Sequence, residues 1–219
     1  MHRARQHAET RTRERRRRLA HEAARLMVEG GIRDYHQAKR KAAERLGFHD
    51  DASLPRNSEV EDALREYQRL FLGDSHVDDL RVRREAALQA LEFFARFDPR
   101  LVGPVLDGTA DRRTPVNLQL YCDDADAVAR FLEEAGIPAE LRSRRLRLDR
   151  MREGEFPAWL FSAQELGFEL TVLPTLALRQ APLSAVDEKP MKRASATQLR
   201  QMLVEDEVAA YGASIGGRG

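Results

Sequence analysis

A single cysteine, Cys122, stands in 219 residues. One thiol builds no internal disulfide framework and no cysteine-ligated zinc site, and a reducing, cytoplasmic setting is the expectation. Histidine is missing from the second half of the chain: His2, His7, His21, His36, His49 and His76 are all six. The stretch after His76 therefore has no Ser–His or Cys–His dyad of its own and no histidine-ligated metal. No run approaches the ~18 apolar residues that a membrane span needs, so no membrane partner is expected. The Arg-rich N-terminus has some transit-peptide character, but it lacks the apolar stretch of a secretory signal and glutamates interrupt it. Aromatics make up 6% of the chain. With only Tyr121, Trp159 and Phe161 near the basic part of the second half, sequence-specific reading of bases is not expected. No Walker-type loop, GxGxxG or internal repeat is present.

What the sequence does have is charge, at 33% of residues. The net charge of +1 conceals an uneven distribution. The first 18 residues hold eight arginines (Arg3, Arg5, Arg11, Arg13, Arg15, Arg16, Arg17, Arg18) against Glu9 and Glu14. A terminal block of one sign is either an arm that meets a polyanion or a solvated helix start. A second series, Arg142, Arg144, Arg145, Arg147, Arg150 and Arg152, has Leu141, Leu146 and Leu148 among it. It predicts a strand pair with one basic face suited to phosphates.

Hydrophobic periodicity predicts four helices in the first 100 residues. The first spans 12–29, with Leu19, Ala23, Leu26 and Met27 on one side and Gly30-Gly31 after it. Asp34 caps a second, Tyr35 to Leu46, which Gly47 ends. Ser58 and Glu61 fit a capping box for a third, reaching about Leu72. The fourth covers 77–97 and is closed by Asp98-Pro99. The basic second helix gives the first pair a helix-turn-helix flavour, but packing through its alanines is the favoured reading.

After Pro99 the pattern changes. Leu101 to Leu106 reads as a buried strand, Asp107-Gly108-Thr109 as a tight turn, and Val116 to Tyr121 as a strand with period-two alternation. Asp123-Asp124 caps a helix from Ala125 to Ala135. Further strands are predicted at 144–148, 158–161 and 168–173. Ser195 and Gln198 form a second capping box ahead of a helix to about Val204, and the tail from Tyr211 is expected to be mobile.

The stretch LVGPVLDGTADRRTPVNLQLY (Leu101–Tyr121) resembles the active-site hairpin of the DNA polymerase beta-type nucleotidyltransferases, and the resemblance extends to Leu173. In that superfamily a strand ends in Gly-Ser or a near relative. The next strand offers two carboxylates one residue apart, and a later strand adds a third. Alternate strand residues share a face, so the acids hold divalent metal together. The resemblance puts Gly108 and Thr109 at the phosphate-cradling strand end and Glu169 at the third carboxylate. The two central positions are Asn117 and Gln119, and amides are poor ligands for magnesium. Asp107, Asp111 and Asp123 are the aspartates that a shifted register would bring to the metal.

These readings predict an α+β chain: a helical lobe with a basic arm over 1–98, a small nucleotidyltransferase-like mixed sheet flanked by helices over 99–206, and a tail over 207–219. The expected function is binding of a nucleotide or RNA by a fold whose metal site is largely lost. Gly108, Thr109, Asn117, Gln119, Arg112 and Arg113 would hold the nucleotide. Arg15, Arg16, Arg17, Arg18, Arg144, Arg145 and Arg147 would hold nucleic acid. No resident metal or other cofactor is expected. The alternatives are a magnesium-dependent nucleotidyltransferase using Glu169 with Asp107 or Asp111, and a non-catalytic scaffold for a protein partner.

Overall fold

The computed structural model describes residues 2–48, 54–149 and 151–216. Arg150 and the last three residues, named in the expectations above, lie outside them. The chain is α+β. Its contacts divide it into two compact units, residues 1–76 with 185–188, and residues 77–184 with 189–219. The fourth helix thus belongs mostly with the sheet, whereas composition places the change at residue 98.

The first unit is helical. α1 (His2–Gly30) starts well before the predicted residue 12. Its first turns have no apolar stripe to reveal them, but arginine, glutamate and glutamine are good helix formers. α2 (Tyr35–Leu46) has the predicted bounds. The Gln37 amide donates to Asp34 Oδ1 at 2.6 Å, and Gly47 ends the helix at φ 68°, a left-handed conformation that favours glycine. Ala38 and Ala42 are fully buried against Leu19, Ala23 and Leu26, so α2 does pack through its alanines. α3 (Asn57–Phe71) adds Val60, Ala63 and Leu64. Its cap differs from expectation. The Arg56 amide donates to Glu59 Oε2 at 2.7 Å, two residues before the predicted Ser58/Glu61 pair. Glu61 is turned inward, where the Tyr35 hydroxyl and Arg65 each donate to it at 2.8 Å.

The second unit is a five-stranded sheet with helices on one face. α4 (Gly73–Phe93) is followed by a 3₁₀ turn, Ala95–Phe97, and then by β1 (Arg100–Val102). The expected strand to Leu106 is cut short. Gly103 takes φ 72°, ψ −154°, open in practice only to glycine, and Pro104 starts a one-turn helix, α5 (Pro104–Asp107). Gly108 closes that turn at φ 81°. β2 (Val116–Tyr121), α6 (Ala125–Glu134), β3 (Glu140–Arg147), β4 (Glu153–Ala163) and β5 (Leu166–Leu173) follow. The strand order is β1-β2-β5-β4-β3, with β2 and β5 parallel and every other pair antiparallel. β3 and β4 are longer than predicted because their pairing, not their apolar content, defines them.

Val116, Leu118 and Leu120 of β2 and Phe168, Leu170 and Val172 of β5 point to the helix-covered face, where Leu91, Phe94, Val128, Leu132 and Leu199 pack on them. Burial of each such leucine contributes roughly 2 kcal/mol. On the opposite face Met191 reaches Gln119 and Arg193 reaches Tyr121, from the stretch after β5 that includes a 3₁₀ turn, Thr175–Leu178, and bonds to the edge strands. The Leu183 amide donates to Arg147 O, and Ala194 and Leu101 exchange two backbone bonds. The last helix, α7 (Ala196–Gly216), opens on the predicted box. The Ser195 amide donates to Gln198 Oε1 at 2.9 Å and the Gln198 amide to Ser195 Oγ at 3.3 Å. It continues well past Val204, the expected end, and runs through Tyr211 to Gly216.

Candidate functional site

The strand alternation and the β2–β5 register build one polar strip on the sheet face away from the helices. Asn117 pairs with Glu169, Gln119 with Thr171, and Tyr121 with Leu173. Paired residues on neighbouring strands share a face, so the three expected positions Asn117, Gln119 and Glu169 do come together. One carboxylate stands where a two-magnesium site would need three, and the donor set does not fit such a site.

Each of these side chains is committed differently. Gln119 is only 1% exposed. The Tyr121 hydroxyl donates to its Oε1 at 2.8 Å, and its Nε2 approaches Met191 Sδ at 3.6 Å. Arg193 completes the chain, donating to the Tyr121 hydroxyl at 2.9 Å and to the carbonyls of Ala177 and Leu178. Burial holds the Tyr121 hydroxyl above its ordinary value, with Arg193 partly opposing this. Glu169 is mostly buried and pairs with Arg144 at 3.4 Å. Asn117 has a buried Oδ1 with no partner among the described residues. Its Nδ2 lies 3.2 Å from where a Cβ on Gly103 would stand.

Gly103 is therefore the strand-end glycine beside the polar strip, a place that the sequence reading gave to Gly108. The signal was available: Val102-Gly103-Pro104 breaks the apolar run. Gly108 and Thr109 lie one helical turn farther on, Thr109 buried with its amide donating to Pro104 O at 2.9 Å. Asp107 sits at the end of α5, with Lys192 3.9 Å away. Asp111 is absorbed by its own loop: the Arg113 amide and the Thr114 hydroxyl donate to its Oδ1. Arg112 and Arg113 are exposed, and Arg112 pairs with Asp79 at 3.1 Å. Buried Arg83 donates to the carbonyls of Arg112, Thr114 and Asp79 and so fixes this loop from behind. Asp124 caps α6, whereas Asp123 receives the amide and hydroxyl of Thr175 at 2.9 and 2.7 Å, which hold its carboxyl below the usual range.

The arginines of β3 do not form one basic face. Alternation sends Arg142 and Arg144 to one side and Arg145 and Arg147 to the other. Arg142 pairs with Glu140, Arg144 with Glu169, Arg145 with Glu153, and Arg152 with Asp149. An arginine count omits these acids, two of which, Glu153 of β4 and Glu169 of β5, come from other strands of the sheet.

The arginines of α1 are less neutralised. Arg11, Arg13, Arg15, Arg17 and Arg18 are exposed, and Arg16 is half-buried. The Arg15 guanidinium lies 4.7 Å from the Phe48 ring centre. Arg17 Nε is 3.5 Å from His21 Nε2. Arg17 and Arg18 line an open groove of about 570 Å³ in the helical unit, together with Glu14, His21, Glu22, Arg25, Leu46, Tyr67 and Phe71. Tyr67 and Phe71, one turn apart on α3, have ring centres 4.5 Å apart. Phe71 falls within the helix predicted to reach about Leu72, and nothing else in the sequence sets it apart.

No helix among the described residues is long and apolar enough to cross a membrane. Among the same residues, no group of three or more His, Cys, Asp or Glu is arranged to hold a metal ion. Comparison with protein-family models, with curated proteins and with solved structures finds no match.

Proposed function

We propose that this protein binds RNA without transferring nucleotides. Its affinity comes from the arginines of α1, and its sheet unit is a nucleotidyltransferase-like scaffold. The observation that carries the reading is the set of exposed arginines on α1, Arg11, Arg13, Arg15, Arg17 and Arg18, with Glu14 the one acid between them. Such a helix releases counterions from a phosphate backbone whatever the base sequence. The amides at 117 and 119 support the non-catalytic part. The second carboxylate position is filled by a side chain that is sealed and hydrogen-bonded, which leaves Glu169, itself paired with Arg144, as the one acid of the strip.

The test has two parts. Binding of a generic fluorescent RNA is followed by anisotropy between 50 and 200 mM salt (about the range over which phosphate contacts are read). Tight binding that weakens steeply with salt, and that is lost when Arg11, Arg13, Arg17 and Arg18 are changed together to alanine, is the expected result. Calorimetric titration of each nucleoside triphosphate with magnesium, then with chelator, examines the other part. Triphosphate binding that vanishes with chelator would overturn the non-catalytic reading in favour of a magnesium-dependent transferase.

A further inference from the structure

We infer that the groove between α1 and α3 of the helical unit is a subsite for single-stranded RNA, in which an unpaired base stacks on Phe71 while Arg17 and Arg18 hold the flanking phosphates. This rests on the RNA-binding reading and deepens it.

Three observations converge on the groove. Phe71 ends α3 with 68% of its surface exposed, and the Tyr67 ring backs it at 4.5 Å. Two adjacent rings, one buttressed and one open, make a platform that accepts any base. The charge around the platform is complementary to phosphate. Glu22 is consumed by a bidentate contact to Arg25 and a 3.3 Å contact to Arg45. Glu29 accepts from the Tyr67 hydroxyl at 2.7 Å and from Arg25. Those contacts neutralise Arg25 but leave Arg17 and Arg18 facing the groove without an acidic partner among the described residues. Glu14 is the other acid that lines the groove. Arg11, two turns before Arg18 on the same side of α1 and exposed, carries positive charge on from the groove toward the helix start.

The platform selects against duplexes, because a paired base does not present its face to a protein ring. Guanidinium planes can hold phosphate bidentately or stack on a base, and Arg17 and Arg18 suit either use.

The test uses the full chain, a fluorescent adenosine 12-mer, its DNA counterpart and an RNA duplex of equal length. Wild-type protein is expected to bind the single strands more tightly than the duplex. Phe71→Ala should weaken single-strand binding about tenfold with an unchanged salt slope, and Phe71→Trp should restore it. Arg17→Ala with Arg18→Ala should lower the slope of log K against log salt by about 1.4. The side chain of Phe71 is exposed, so its variants should keep the wild-type circular dichroism. RNA and DNA single strands offer the same base face and phosphate, and weakened binding of the RNA strand on Phe71→Ala supports the subsite, with or without a matching loss for DNA. Unchanged single-strand binding by Phe71→Ala, with weakening by the arginine pair, would overturn the stacking subsite and leave the RNA reading intact. No salt-sensitive RNA binding by wild-type protein would overturn both.

Discussion

Removing one oxygen from Tyr121 should be costly, and the cost can be worked out atom by atom. The hydroxyl donates to Gln119 Oε1 and accepts from Arg193. In Tyr121→Phe, Arg193 keeps the carbonyls of Ala177 and Leu178 at 3.0 and 3.1 Å, so its loss is small. Gln119 has no such reserve. Its side chain is 1% exposed and Oε1 has no other donor among the described residues. An acceptor left unpaired in such a place costs about 1–3 kcal/mol. For a chain of this size that corresponds to a fall in Tm of roughly 2–12 °C, read by thermal denaturation. A second variant separates hydrogen bonding from packing. Gln119→Met together with Tyr121→Phe removes both polar ends, so the pair should be more stable than Tyr121→Phe alone, a coupling visible in a double-mutant cycle. There is also an alkaline signature. Because burial raises the hydroxyl above its ordinary 10.0, the folded state holds that proton more tightly than the unfolded one. Its contribution is complete below pH 10 and is lost as pH rises through the folded value; the phenylalanine variant lacks this limb. A loss under about 0.5 kcal/mol in Tyr121→Phe, below the usual net worth of one hydrogen bond, would refute the claim that this position is sealed.

Three other perturbations follow from the same structure. Gly103→Ala forces a Cβ into a glycine-only conformation, 3.2 Å from Asn117 Nδ2, and should destabilise the sheet unit by about 2 kcal/mol in urea denaturation. Arg84, buried on α4, donates to the carbonyls of Val105 and Leu106 and to Asp206 at 2.5 Å; Arg84→Met should cost about 3 kcal/mol, and a cost below 1 kcal/mol would show that α5 holds without it. Glu22 is held below its ordinary 4.5 chiefly by its hydrogen bonds to Arg25, so its contribution is complete above pH 4.5 and is lost as pH falls through its lower folded value. Glu22→Gln should flatten that acid limb in pH-dependent denaturation of the helical unit.

The elements that were legible in the sequence are those whose signals are local. Asp34 and Gly47 bracket α2 because both caps lie next to the residues they serve. β2 is legible because Val116, Leu118 and Leu120 alternate with polar residues on a sheet with one buried face. The Ser195–Gln198 box spans only three residues. β1 was not legible in full, because a short apolar run from Leu101 to Leu106 fits a strand or a buried helical turn equally well. Only Gly103-Pro104 decides between them. β3 is polar along most of its length and is defined by its partner β4. Of the candidate site, the common face of Asn117, Gln119 and Glu169 could be read from alternation and from the resemblance. The sealing of Gln119 could not, since Met191 and Arg193 come from an irregular segment about seventy residues later.

That sealing bears on why an amide stands at position 119. A carboxylate that serves a metal must be reached by water, metal and substrate, and must stay ionised. A side chain 1% exposed meets neither condition cheaply, since burial disfavours the charged form of an acid. Glutamine satisfies the same geometry while neutral, its carbonyl accepting from Tyr121 and its amide turned to Met191. Asn117→Asp with Gln119→Asp would put acids back at both positions of the strip. It would also leave a buried carboxylate beside Met191 and shorten the side chain that Tyr121 reaches. The double variant should therefore unfold at lower temperature without gaining chelator-sensitive triphosphate binding. A gain of such binding would mean that the strip opens readily, and the transferase reading would then overtake the binding one. On the proposed reading, in which the arginines of the helical unit carry RNA affinity, that affinity should survive in either case, because positions 117 and 119 belong to the other unit.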